Sequence, residues 1–62
     1  MRGEPNADFA LMMIPHHQSA IDMAEAYLDH GDDPELTTLA NEVITEQTRE
    51  IDFLENWLAA NR

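Results

Sequence analysis

A chain of 62 residues is one domain at most, and it buries only ~60% of the surface its unfolded form exposes, so it needs reinforcement. It has no cysteine, which excludes disulfides and thiolate metal sites and leaves a bound metal, a partner chain, or both. Thirteen acidic against three basic side chains give a formal charge of −10; such a surface repels nucleic acid and anionic lipid, and no apolar run is long enough to span a bilayer.

Residues 1–6 are polar, with Gly3 and Pro5, and read as a lead-in; no charged-then-apolar signal segment is present, which leaves the compartment open. Asn6 is expected to cap the helix that follows, with Asp8 favourably placed in its first turn. A first helix is predicted over about 7–29. One apolar row is Phe9, Met13, His16, Ala20, Met23, Tyr27; a neighbouring row is Ala10, Ile14, His17, Ile21, Ala24, Leu28. Both advance by alternating steps of three and four, so together they make one broad stripe, with Gln18, Asp22, Glu25 and Asp29 opposite. Pro15 cannot donate to the carbonyl of Leu11 and should kink the helix there, while the stripe continues in phase across it.

Residues 30–33 form the turn. Gly31 suits a left-handed residue at the end of a helix, Asp33 suits an N-cap, and Pro34 suits the first helical position. The second helix is predicted over about 34–60, with a stripe of Leu36, Leu39/Ala40, Val43, Gln47, Glu50/Ile51, Leu54 and Trp57/Leu58. So short a turn forces the helices to pack antiparallel, giving an all-α hairpin. A hairpin has one seam, and both stripes are wider than it needs. The surplus apolar surface, including Ile14, Phe53 and Trp57, calls for a homodimer closing into a four-helix bundle, or for a second hairpin in a longer parent.

The stripes are broken by His16 and His17 on the first helix and by Gln47 and Glu50 on the second. With the turn centred near residue 31 or 32, His16 should lie level with Gln47 and Met13 level with Glu50. Buried without partners, such groups cost ~1–3 kcal/mol each, so they must satisfy one another or bind something. Met12 and His16 are four apart, as are Met13 and His17, and Met23 lies two turns beyond His16. Imidazole with thioether is a set that favours copper, whereas zinc has little use for methionine. Glu50 is also placed to accept the free ring N–H of a ligating histidine.

Plainer readings compete. Methionines at helical spacing are commonly core filler, and a histidine beside a carboxylate is commonly a structural ion pair. His30 at the helix end is most simply a favourable charge at the C-terminal dipole. Asp32, Asp33, Glu35, Asp52 and Glu55 read as solvated surface, without the alternating pattern of a calcium loop. Ser19, the only serine, falls on an outward-facing site, and nothing resembles a nucleophile or a phosphate loop. A carboxylate-bridged di-iron site wants several buried carboxylates and Glu-x-x-His spacing, which this chain lacks.

The stretch Phe9–Ala24, with its Met-x-x-His-His-x-x-Ala-Ile-x-Met-Ala arrangement, resembles the signature of the domain-of-unknown-function 305 family, and Leu39-Ala40, Gln47–Ile51 and Trp57-Leu58 look like its second helix. The resemblance covers about residues 8–59. It implies a ferritin-like helical fold of two-helix repeats, a secreted or periplasmic bacterial setting, and in some members copper binding and tolerance without an established enzymatic activity. Carried over, the family's paired histidines fall on His16 and His17, and its methionines on Met12 or Met13 and on Met23. Where the family often has a further methionine, this chain has Leu54.

The expectation is therefore a copper-binding or copper-buffering module, with zinc or iron less suited. His16 and His17 would be ligands, Met12, Met13 and Met23 soft ligands, and Glu50 and Gln47 supports, in a homodimer with no nucleic-acid or membrane partner. A dinuclear oxidoreductase-like centre bridged by Glu50 from two chains, and a structural helical interaction domain with a buried His/Glu network, are the alternatives.

Overall fold

The computed structural model describes residues 5–61 and contains two helices, α1 over Pro5–His30 and α2 over Pro34–Ala60, joined by residues 31–33. At ~1.5 Å per residue each helix is roughly 40 Å long. The hairpin measures 43 × 17 × 13 Å, so its long dimension is one helix length. The chain is all-α, and among the described residues neither helix is long and apolar enough to cross a membrane.

α1 begins earlier than the capping pattern predicts. Asn6 is already helical and not the cap, because Pro5 is helical too: proline has no N–H to leave unsatisfied and its fixed φ suits a first turn. Asp8 lies in the first turn and His30 in the last, each matching the helix dipole. The helix passes through Pro15 without a break, and the Ser19 hydroxyl donates to the Pro15 carbonyl at 3.1 Å. Four threonine or asparagine side chains of α2 donate likewise to the carbonyl four residues back, Thr37 to Asp33, Thr38 to Pro34, Asn41 to Thr37 and Thr45 to Asn41.

The turn is held at both ends. Asp33 is extended (φ −80°, ψ 124°) and its carboxylate accepts from the Leu36 N–H at 3.0 Å, so it caps α2 with Pro34 following, as expected. Gly31 is needed for a different reason than the one read from the sequence. It does not occupy the left-handed region; instead the Tyr27 ring lies against its Cα, where any Cβ would overlap the ring carbons. The Tyr27 hydroxyl then receives the Asp33 N–H at 3.0 Å, and the Gly31 N–H reaches the Tyr27 carbonyl at 2.6 Å. Tyr27 thus clamps the whole turn.

The seam between the helices is lined largely by small residues. Ala7, Ala10, Ile21 and Ala24 of α1 are buried against Ala40 and Leu54 of α2. Alanines let the helices approach closely but bury little area. The two apolar rows of α1, which the sequence presents as one stripe, divide here. The row Ala10, His17, Ile21, Ala24 enters the seam, while Phe9 and Met23 of the other row are well over half exposed. On α2, Phe53 is exposed in the same way, and Leu36 and Leu39 are about half exposed.

Candidate metal centre

His17 is the one buried polar residue among those described, at 6% exposure. Ala10, Ile21 and Ala24 stand at helical intervals before and after it, so the row that makes the seam carries the imidazole into it. Across the seam Glu50 accepts a hydrogen bond from His17 Nε2. The pair is unequal, because the Glu50 side chain remains 54% exposed while the ring is enclosed. The other ring nitrogen, Nδ1, is buried and has no partner. Neutral imidazole whose Nε2–H is held by a carboxylate presents Nδ1 as a lone pair, so the contact selects the tautomer. That lone pair is left unused at a cost of ~1–3 kcal/mol.

A cavity of about 260 Å³ opens beside the ring, lined by Phe9, Met13, His17, Glu50, Phe53 and Leu54. Met13 lies one turn before His17 and lines the same cavity, so its thioether is the soft donor grouped with the ring. The two phenylalanines line it with the polar groups; periodicity places Phe9 in an apolar row of the first helix and marks Phe53 as surplus apolar surface, but gives no sign that they border this site.

The other expected residues are dispersed. His16 is exposed and meets His17 only ring to edge, with centroids 6.0 Å apart. Consecutive helical residues diverge by about 100°, so one seam cannot take both histidines. The expected level pairing holds for Met13 and Glu50, which line one cavity, whereas it is His17 and not His16 that reaches the second helix. Gln47 is half-buried. Met12 is exposed on the flank, and Met23, at 69% exposure, lines a separate apolar cavity with Tyr27, Leu39 and Val43. Among the described residues no three of His, Asp and Glu stand close enough together to hold a metal ion. One hairpin therefore brings together one imidazole, one thioether and one carboxylate around this cavity.

The acidic residues expected at the surface, Asp32, Asp33, Glu35, Asp52 and Glu55, are all exposed. Ser19 is exposed as well, its hydroxyl occupied by the helix backbone.

No curated protein and no solved structure matches the chain. A family model does, over residues 6–62, a span that takes in both helices, the paired histidines and Glu50, and the chain belongs to the family described as Domain of unknown function (DUF305).

Proposed function

We propose that this protein is a non-enzymatic copper-binding or copper-buffering module that works as a homodimeric, ferritin-like four-helix bundle. The observation that carries the reading is the unpartnered, buried Nδ1 of His17, whose opposite nitrogen is held by Glu50. Carboxylate–imidazole pairs of this kind are what orient a ligating histidine and raise its basicity. Met13 beside it supplies the softness that separates Cu(I) from zinc. His16, Met12 and Met23 are further donors on the exposed side of α1, with Gln47 and Glu50 as hydrogen-bonding support. Copper bound there is cargo, held and released.

The test is titration of the protein with Cu(I) and separately with Zn(II), followed by native mass spectrometry. Stoichiometric Cu(I) uptake in preference to Zn(II), lost when His16 and His17 are both replaced by alanine, supports the reading. Unchanged copper affinity in that double variant overturns the assignment of ligands.

A second reading is favoured by the His17–Glu50 contact itself: a buried polar network that serves only to orient the hairpin. It predicts that Cu(I) and strong chelators alike leave the assembly and its stability unchanged.

A further inference from the structure

Two cavities open on one side of the hairpin. Phe9, Met13, Glu50 and Phe53 border the first, and Met23, Tyr27, Leu39 and Val43 border the second. On each helix these positions are spaced, with Ala20 between Met13 and Met23, by threes, fours and sevens, so they keep to one helical face. The second cavity, of about 330 Å³, has the section of a groove. Ala24 and Ala40 are buried in its floor and Ala20 is half-buried, while Met23 is well exposed and Leu36 and Leu39 are about half exposed beside them. Small residues below and large apolar ones at the sides leave room for the side chains of a third helix.

The two edges of this side differ in charge. Glu35, Glu42 and Glu46 stand four residues before, three after and seven after Leu39, so they run along its flank of α2, and all three are exposed. Along α1 the matching flank of Met23 carries Met12, His16, Ser19 and Ala26, with no carboxylate. The chain has no lysine, and its three arginines are Arg2, Arg49 and Arg62. Arg49 already donates to Glu46 at 3.3 Å. A second copy, itself at −10, therefore adds negative charge to the acidic edge and brings scarcely a cation to offset it. A helix with lysine or arginine along one side complements that edge while its apolar side fills the groove.

We propose that this groove receives one basic amphipathic helix of another protein, with lysine or arginine along the edge beside α2 and large apolar side chains seated among Met23, Leu36, Leu39 and Phe53. The proposal stands apart from copper binding, and it makes the basic helix and a second copy of the chain rivals for one face. From Leu36 to Phe53 the groove follows about 26 Å of α2, at ~1.5 Å per residue, so a partner of roughly 18 residues covers it. Met13 and Met23 suit the role, since unbranched, polarisable side chains adapt to partners of different shape. The apolar contacts set the affinity, and the carboxylates of the α2 edge set the preference for positive charge.

The experiment titrates the metal-free chain with two synthetic 18-residue helices of identical leucine pattern, one with lysine and one with glutamate on the polar side. Fluorescence of Trp57, the only tryptophan, reports binding, and sedimentation reports the complex. The lysine helix should bind one to one, leaving no second copy on the chain, and the glutamate helix at least 100-fold more weakly. Leu39→Ser keeps the charge and removes an apolar wall of the groove, so it should weaken binding at least tenfold; Leu36→Ser repeats the test should Leu39→Ser fail to fold. Glu42→Gln/Glu46→Gln should weaken binding at least fivefold and flatten its dependence on salt. Glu25→Gln/Asp29→Asn removes as much charge from exposed positions away from the groove and should change nothing. Equal losses from the two charge-removing pairs would mean diffuse attraction to an acidic surface and overturn the proposal. Undiminished binding in Leu39→Ser and Leu36→Ser, or no binding of the lysine helix to the parent, overturns it too. So does a lysine helix bound to a dimer that stays intact, since the face would then belong to the second copy.

Discussion

Glu50 and His17 face each other across the seam in an unequal pair: the imidazole is enclosed at both nitrogens, while the carboxylate that holds Nε2 stays more than half in water. A structural pair would be expected to satisfy both ends of the buried partner. Here the buried partner keeps an unsatisfied atom and the exposed one does not need the contact, since water would solvate it equally well. The arrangement orients the ring more than it stabilises the fold.

Replacing His17 by leucine tests that distinction. The apolar side chain removes the orphaned Nδ1 and fills similar volume, and Glu50 can hydrate where it stands. Swapping a buried polar group for a well-packed apolar one is neutral or stabilising when no partner is left stranded. His17→Leu should therefore leave the urea midpoint unchanged or raise it, while tight Cu(I) binding disappears. A loss of more than about 1 kcal/mol would instead mark the imidazole as part of the structural core.

The hairpin itself was legible because its signals are local. Asp33-Pro34 announces the start of α2, and a three-residue connection leaves no topology other than antiparallel. What could not be read from the row pattern was which row meets the partner helix. The spacing makes Phe9–Tyr27 and Ala10–Leu28 look like one stripe. A single neighbouring helix covers only a narrow arc, so His17 goes in and His16 and Met23 stay out. Gly31 shows a different limit. A glycine after a helix suggests a left-handed residue by local rule, yet the constraint is Tyr27, a ring four residues earlier that occupies the space a Cβ would need.

That clamp gives a second prediction. In Gly31→Ala the new methyl meets the Tyr27 ring, which must move and give up its contact with the Asp33 N–H. Overpacking of this kind costs about 1–3 kcal/mol. Tyr27→Phe keeps the ring and loses only the hydroxyl, for about 0.5–1.5 kcal/mol. Thermal unfolding followed by circular dichroism should rank Gly31→Ala below Tyr27→Phe and both below the parent. A glycine that was merely a helix terminator would show no such coupling, and Gly31→Ala would cost as much in a Tyr27→Ala background as in the parent.

Asp33 supports a third. Its carboxylate holds the Leu36 N–H at the head of α2, so Asp33→Ala should cost about 1 kcal/mol and Asp33→Asn almost none, since asparagine caps equally well. Chemical denaturation of the three proteins at one concentration decides it. Equal losses in both variants would mean that the charge beside the helix dipole, and not the hydrogen bond, is what matters there.

The last prediction concerns the metal and can be made on the unmodified chain. A ligand that binds only the folded state stabilises it by about 2.7 kcal/mol at a hundredfold excess over its Kd. A domain of this size shifts its unfolding midpoint by about 4–8 °C per kcal/mol, so saturating Cu(I) should raise Tm by roughly 10–20 °C. An excess of a Cu(I) chelator should return Tm to its starting value. Zn(II) at the same concentration should move it far less, because the methionine sulfur at position 13 contributes little to zinc. His17→Leu should start at or above the parent's Tm and then fail to respond to copper. The two effects pull in opposite directions on one residue, and only a ligating role produces both; a shift of equal size in parent and variant would place the copper elsewhere on this strongly acidic chain.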